Sequence, residues 1–203
     1  MALDAATGSQ RWSQSFGSIS SIDPPAYADG VVYVTTGGHE DSFLRAFDAA
    51  SGTLLFSAPY DNQWSRWQAP VVSGGNVYMA GGYYGGMYSF DGAGTQRWFN
   101  QMGQYEDFTP ALGNGRVYGL TGQISPQVLV VDPATGERVD SLTDPVLEQM
   151  SDAPTGTPVL GALQDLLTTE AGMVLAYDIQ HRGTLWRASG EFRGLPVVAN
   201  AVV

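Results

Sequence analysis

Short apolar segments alternate with Gly-, Asp- and Asn-containing turns along most of the chain. Residues 31–35 are β-branched and aromatic, which predicts a strand, and Asp29-Gly30 is a two-residue turn signal joining it to a shorter strand at 25–28. No window carries a 3.6-residue apolar period over ten residues, and the best helical candidate is a single turn at 145–150. The pattern predicts an all-β protein.

Two further strands, at 43–47 and 53–56, complete a four-stranded unit. A tight turn from Asp48 to Gly52 joins them, in which the carboxylate accepts from backbone N–H groups and the glycine takes the left-handed conformation. The same order of strands recurs three times downstream. Four short strands in a repeat of about 40 residues are typical of a β-propeller blade.

The turn between the third and fourth strands carries the clearest repeat. Its aspartates are separated by 44, 43, 41 and 46 positions, at Asp4, Asp48, Asp91, Asp132 and Asp178. The last copy is the least regular, with Gly183 and Trp186 after the aspartate. A fixed period of this length indicates a repeat architecture.

The fold prediction is a single β-propeller domain over residues 1–203, with four-stranded antiparallel blades. Four complete blades are predicted at about 24–57, 69–100, 109–142 and 157–188, with half-blades at 1–14 and 195–203. The half-blades leave three arrangements open: closure of a five-bladed ring, the edges of a larger ring, or pairing with another chain through exposed edge strands as a homo-oligomer. We favour the larger ring, because Val202-Val203 stop where Val31-Val32 continue into Tyr33.

Composition narrows the classes of function. The net charge of −11 argues against nucleic acid and anionic membranes as partners. The chain has neither Lys nor Cys, which excludes Schiff-base chemistry, thiolate metal sites and disulfides. No apolar run reaches the roughly 18 residues of a membrane helix, and no signal-peptide pattern is present in this chain.

Residues 2–8, with Trp12 four positions on, resemble the tryptophan-docking repeat of the pyrroloquinoline-quinone-like (PQQ-like) propellers. That resemblance implies that the tryptophan packs between neighbouring blades while the Asp and Gly hold the outer hairpin. The implied docking residues are Trp12, Phe56, Trp98, Val139 and Trp186. The implied turn residues are the five repeated aspartates.

The PQQ-like family contains quinoprotein dehydrogenases, but also cofactor-free scaffolds and sensor domains. This chain is short for the enzymes, lacks their adjacent cysteines and shows no matching calcium-binding set. The resemblance therefore favours a non-catalytic, protein-binding or scaffolding module without a cofactor, in the periplasm or outside the cell. The alternatives are a truncated PQQ-dependent oxidoreductase and a ligand- or carbohydrate-sensing domain.

The loops between strands two and three, and those leading to the next blade, fall on one face, which the resemblance implies is the ligand side. Aromatic residues interleave with acids there, as in binding surfaces for a protein, a sugar or a small molecule. The candidate ligand face comprises His39, Glu40, Asp41, Tyr60, Trp64, Trp67, Tyr83, Tyr84, Tyr105, Glu106 and Asp107.

Other chemistry on the chain is weakly supported. The two histidines, His39 and His181, are expected on opposite faces, so they do not predict a shared metal. The acidic pairs Glu40-Asp41 and Glu106-Asp107 could bind Ca²⁺, but neither has the usual Asp-x-Asp spacing of calcium ligands. The glycines of 81–86 suggest a phosphate loop, but no helix follows them. We therefore predict no metal and no catalytic residue.

Overall fold

The structure is a computed structural model that describes residues 1–38, 42–62, 68–103, 108–121, 126–149, 157–161, 165–170, 172–192, 196–199 and 202. It is built from antiparallel strands. A single 3₁₀ turn, Leu147–Gln149, lies where the sequence favoured a helical turn. The described part of the chain holds no helix long and apolar enough to cross a membrane.

A two-stranded hairpin is followed by one five-stranded sheet and three four-stranded sheets, which we call blades 1 to 4. The N-terminal hairpin is β1 (Ala2–Leu3) and β2 (Gln10–Trp12). Blade 1 has β3 (Ser21–Ile22), β4 (Ala26–Ala28), β5 (Val31–Gly37), β6 (Phe43–Asp48) and β7 (Leu54–Pro59). Blade 2 has β8 (Val71–Ser73), β9 (Asn76–Ala80), β10 (Met87–Asp91) and β11 (Gln96–Asn100). Blade 3 has β12 (Ala111–Gly113), β13 (Arg116–Thr121), β14 (Gln127–Val131) and β15 (Arg138–Thr143). Blade 4 has β16 (Val159–Leu160), β17 (Asp165–Glu170), β18 (Met173–Asp178) and β19 (Gly183–Ser189).

The first strand of blade 1 is split into β3 and β4, which pair with different parts of β5. Pro24 and Pro25 lie at the break, because proline has no N–H to donate to the ladder. Asp23 spans the gap, since its backbone N–H donates to Thr35 O at 3.0 Å and its carboxylate accepts from the Thr35 hydroxyl at 3.0 Å. This extra strand was not predicted.

Every hairpin between the third and fourth strands contains a register shift just before its aspartate. In blade 1 the shift lies between Ala46 and Phe47, and the N-terminal hairpin and the other blades repeat it at the matching positions. A β-bulge of this kind follows when a left-handed residue closes the turn. The repeat motif therefore encodes a bulged hairpin.

The blades pack side by side, with their first strands in contact: β4 with β8, β8 with β12, and β12 with β16. The central strands of blade 3 lie between blades 2 and 4, which explains the continuous apolar run of β14. One buried cluster lies between blades 1 and 2, and another extends through blades 2, 3 and 4. The all-β propeller prediction is confirmed.

The described sheets do not close into a ring. Ala199 and Val202 form an isolated antiparallel bridge with each other. Much of the half-blade predicted at 195–203 lies outside the described residues, so that half-blade and the blade boundaries stay predictions.

Candidate functional site

Trp12 joins the N-terminal hairpin to blade 1. Its indole N–H donates to Ala49 O at 2.9 Å, and its ring lies 6.4 Å from that of Phe47. Trp98 repeats the contact between blades 2 and 3, donating to Pro133 O at 3.0 Å. Each acceptor carbonyl belongs to the residue after the turn aspartate, so the turn of one unit receives the tryptophan of the unit before it.

The turn glycine makes room for that indole. Gly52 has φ +75°, and a Cβ built there would lie 2.6 Å from Trp12 Cδ2. Gly136 has φ +75° as well, and its Cβ would lie 2.5 Å from Trp98 Cδ2. Any side chain at these positions would therefore overlap the docked ring as well as adopt an unfavourable left-handed backbone.

An amide two residues after the tryptophan makes a second bond to the same turn. Gln14 Nε2 donates to Gly52 O at 2.6 Å, and Asn100 Nδ2 donates to Gly136 O at 2.6 Å. Sequence reasoning missed this pair, although the spacing Trp-x-Gln or Trp-x-Asn was visible. The two bonds fix the indole and the following strand onto one turn.

Phe56 occupies the docking position between blades 1 and 2, where its ring lies over Gly94. Between blades 3 and 4 the residue at this position is Asp140, which pairs across from Val130 as Trp98 pairs across from Ser89. The expectation of Val139 there is wrong, because the bulge displaces Val139 from the docking position and leaves it 46% exposed. No described indole fills the turn of blade 4. Arg182 takes the left-handed position there, with φ +59°, and Gly183 follows it.

Ion pairs replace the aromatic dock at that last junction. Arg182 donates to the Asp140 carboxylate, and Thr184 donates to Asp144. Arg187 Nε and Nη2 lie 2.7 and 2.6 Å from Asp144 Oδ2. Burial opposes ionisation of Asp144, but these donors outweigh it, so the pKa of the carboxyl lies below its usual value.

The repeated aspartates are occupied by their own turns. Asp132 Oδ1 accepts from the backbone N–H groups of Ala134 at 2.9 Å and Thr135 at 3.1 Å. Backbone or side-chain hydrogen bonds lower the pKa of all five carboxyls, with Asp4, Asp48, Asp91 and Asp178 bonded in the same way. Hydrogen bonds to a carboxylate favour the ionised form. The geometry thus gives these groups a structural role.

The opposite end of the blades holds an open cleft of about 820 Å³, which we call the blade 1–2 cleft. Tyr60 and Tyr88 meet edge to face at its base, with ring centroids 5.6 Å apart. The Tyr88 hydroxyl donates to Asp61 O at 3.2 Å, and burial, with the nearby Asp61 charge, raises the pKa of Tyr88 to about 12. Tyr88 therefore stays protonated and holds the two blades together.

Two aromatic side chains of this cleft are exposed: Tyr84 at 45% and Phe99 at 40%. Phe99 lies 4.5 Å from Tyr88 between ring centroids, on the cross-strand neighbour position. Tyr84 stands on a tight turn closed by the Gly85 N–H donating to Gly82 O at 2.8 Å. The glycines of 81–86 thus form a turn that presents aromatic side chains.

Neutral polar groups surround these rings. Ser42, Asn62, Gln96 and Gln101 line the cleft, and Asp61 is the charged residue among its described lining residues. Such a set can bind an apolar or planar group against the rings and hydrogen-bond its polar edges. It supplies no paired acid and base.

The structure brings part of the candidate ligand face to this cleft. Tyr60 lies buried at its base, Tyr84 lines it, and Tyr83 is exposed on the same turn. The other candidate residues lie outside the described part of the chain: His39, Glu40, Asp41, Trp64, Trp67, Tyr105, Glu106 and Asp107. Phe99 and Tyr88 were missed, because a strand residue gives no sign from sequence that it will border a cleft.

The two acidic pairs that were weighed and set aside as calcium sites, Glu40-Asp41 and Glu106-Asp107, lie outside the described residues. His181 sits in the outer hairpin of blade 4, with Nδ1 2.6 Å from Asp178 Oδ2. Among the described residues, no group of three His, Cys, Asp or Glu side chains converges to hold a metal ion.

The family model described as outer membrane protein assembly factor BamB matches residues 1–69. The predicted resemblance to PQQ-like propeller repeats is thereby confirmed for that segment. No curated protein matches the chain.

Solved structures extend the likeness to most of the chain. BamB from Moraxella catarrhalis is 17% identical, with a TM-score of 0.62, covering 80% of this chain and 51% of that one. The computationally designed Ika8 protein is 17% identical, with a TM-score of 0.66, covering 84% of this chain and 50% of that one. This chain therefore spans about half the length of these relatives, and the likeness shows the propeller fold.

Proposed function

We propose that the protein is a non-catalytic, protein-binding or scaffolding module that binds its partner at the blade 1–2 cleft. The observation that carries this proposal is the pair of exposed rings, Tyr84 and Phe99, beside neutral hydrogen-bonding side chains. Aromatic anchors surrounded by polar groups are typical of interaction hot spots. The BamB-like fold supports the same class of function.

The partner that fits best is an extended peptide segment with an apolar or aromatic side chain between the two rings. A basic residue beside it would meet Asp61, and the net charge of −11 would steer such a segment towards the protein. The resemblance to an outer membrane assembly factor supports an extracytoplasmic compartment for this encounter.

Carbohydrate sensing is the second candidate. Two amides, Gln96 and Gln101, lie in the cleft with the exposed rings, and sugars present both apolar faces and hydroxyl edges to such groups. PQQ-dependent oxidation fits less well, because the described residues bring no set of acidic ligands together for the accompanying Ca²⁺.

The test is a selection of 12-residue peptides displayed on phage, with affinities of the selected peptides measured by calorimetry. Tyr84→Ala should weaken binding by about 2 kcal/mol, as expected of an aromatic anchor. Tyr27→Ala, which removes an exposed ring on β4 away from the cleft, is the matched control and should bind normally.

An oligosaccharide panel and a PQQ–Ca²⁺ dye-reduction assay run beside the peptide selection. Sugar binding lost in Tyr84→Ala would replace the protein partner with the sensing function. Specific turnover with PQQ would refute the non-catalytic reading. Peptide binding that is equal in Tyr84→Ala and Tyr27→Ala would show that the cleft is not the site.

A further inference from the structure

The turns Asp48–Gly52 and Asp132–Gly136 each receive a tryptophan ring, and we call such a turn a dock. The turn of the N-terminal hairpin has the same geometry. The Gly8 N–H donates to Asp4 O at 2.8 Å, and Gly8 has φ +70°. The occupied blade 1 dock has almost the same hydrogen-bond distance and backbone angle, since the Gly52 N–H donates to Asp48 O at 2.8 Å and Gly52 has φ +75°. This dock is therefore preformed.

Unlike those docks, the Gly8 dock holds no side chain of the described residues. A Cβ built on Gly8 meets nothing within 4 Å, whereas at Gly52 and Gly136 it meets an indole. In the blade 1 turn, Ala49 O accepts from the indole and Gly52 O accepts from the amide. The carbonyls at the same positions of the N-terminal turn are those of Ala5 and Gly8. Neither accepts a hydrogen bond from a described residue.

The strand beside the empty dock is uncovered too. The residue before the turn aspartate is buried in every complete blade, as Phe47, Phe90, Val131 and Tyr177. Its counterpart in the N-terminal hairpin, Leu3, is 51% exposed. In blade 1 this position lies under Trp12, so Leu3 marks where an indole would pack.

Blade 4 carries a docking tryptophan without a dock. Trp186 lies on β19 at the position that Trp98 holds on β11, paired across from Ala176 as Trp98 is from Ser89. It is 41% exposed, against 8% for Trp98, and its indole N–H donates to no described residue. Leu185 next to it is also exposed.

We propose that the protein associates with a second copy of itself, head to tail, by docking Trp186 of one copy onto the Asp4–Gly8 turn of the next. Within the described residues the chain carries both complementary halves, a docking indole that meets no turn and a docking turn that meets no indole. Two contacts of this design already hold its own units together, at Trp12 and Trp98. The interface is heterologous, so it forms a closed ring of copies or an open chain of them.

The surface is separate from the blade 1–2 cleft, because the turns lie at the opposite end of the blades from Tyr84. Loss of association would therefore leave peptide binding intact, and loss of peptide binding would leave association intact.

The test is mass measurement by sedimentation and light scattering from about 1 to 200 µM, at about 150 mM salt to screen the charge of −11. The chain should pass from 21.6 kDa to multiples of that mass as the concentration rises. Trp186→Ala and Gly8→Val should each weaken the association by roughly 30-fold or more, as for a hot-spot side chain.

Matched controls separate docking from misfolding. Gly17 also has φ +72° and open space around it, but it lies outside the docking turns, so Gly17→Val carries a similar backbone penalty and should associate normally. Circular dichroism of each variant verifies that the sheets are intact.

Mixing the two defective variants provides the decisive measurement. Trp186→Ala keeps a working turn and Gly8→Val keeps a working indole, so one of each should form a complex of twice 21.6 kDa and no larger. A wild-type chain that stays at 21.6 kDa throughout, or a mixture that forms no such complex, would overturn the proposal. The proposal would also be overturned if the wild-type chain is a monomer and Trp186→Ala destabilises it, because Trp186 would then dock onto the turn of its own chain.

Discussion

Alanine at Gly136 is expected to destabilise the protein much more than alanine at Gly115, although both glycines lie in turns of blade 3 with left-handed backbones, at φ +75° and +68°. A left-handed alanine costs about 1–2 kcal/mol at either site. Around Gly115 there is open space, so that is the whole cost. At Gly136 the new Cβ would lie 2.5 Å from Trp98 Cδ2, so the indole must leave its dock.

The upper bound of that extra cost is the loss of the docked indole. Trp98 is buried, and replacing a buried tryptophan with alanine costs about 3–5 kcal/mol, which includes its hydrogen bond to Pro133 O. The displaced indole keeps part of its other contacts, so we expect an extra cost below that bound, about 2–3 kcal/mol, and a total cost of about 3–5 kcal/mol for Gly136→Ala. Once Trp98 is already alanine, Gly136→Ala should cost only the backbone term of about 1–2 kcal/mol.

The assay is urea unfolding followed by circular dichroism for the four members of the cycle, with Gly115→Ala as the control. The expected coupling free energy is about 2–3 kcal/mol, in the range of contacting residues. Additive single effects would refute the docking geometry. So would a Gly136→Ala variant as stable as Gly115→Ala.

Two further results follow from the electrostatics of the turns and of the last junction. The five turn carboxyls and Asp144 have pKa values below the usual 3.8, so their stabilisation is complete above pH 3.8 and is lost as the pH falls through the lower folded values. The urea midpoint should fall below about pH 4, less steeply in Asp132→Asn; a midpoint constant down to pH 3 would contradict this. Asp144→Asn should lower the unfolding free energy by about 1–3 kcal/mol, which is less than the loss expected for a fully buried ion pair because Arg187 is partly exposed. The control is Asp29→Asn, which changes an exposed aspartate in a turn of blade 1. Equal urea midpoints for those two variants would show that the ion pair does not hold blade 4.

The sequence by itself determined the repeat unit and the propeller class. The turn chemistry is local: an aspartate, a left-handed glycine and β-branched flanking strands lie within a dozen residues, so each hairpin can be identified from its own segment. The exception is instructive, since Arg182 and not Gly183 takes the left-handed position of the last turn. The residue at the docking position is Asp140, 42 positions upstream, and its carboxylate accepts from Arg182 where the turns of blades 2 and 3 receive an aromatic ring.

Only the tertiary structure decided how the units meet. Three features depend on the neighbouring unit. Gln14 and Asn100 bond to the docking turns, Asp144 replaces an aromatic dock, and Phe99 borders a cleft. The motif also does not reveal that a described indole occupies the dock at Gly136 and none occupies the dock at Gly8, because the two turns share their sequence chemistry. A turn is specified by its own residues, whereas its occupant comes from another unit some 40 residues away, brought there by the packing of blades.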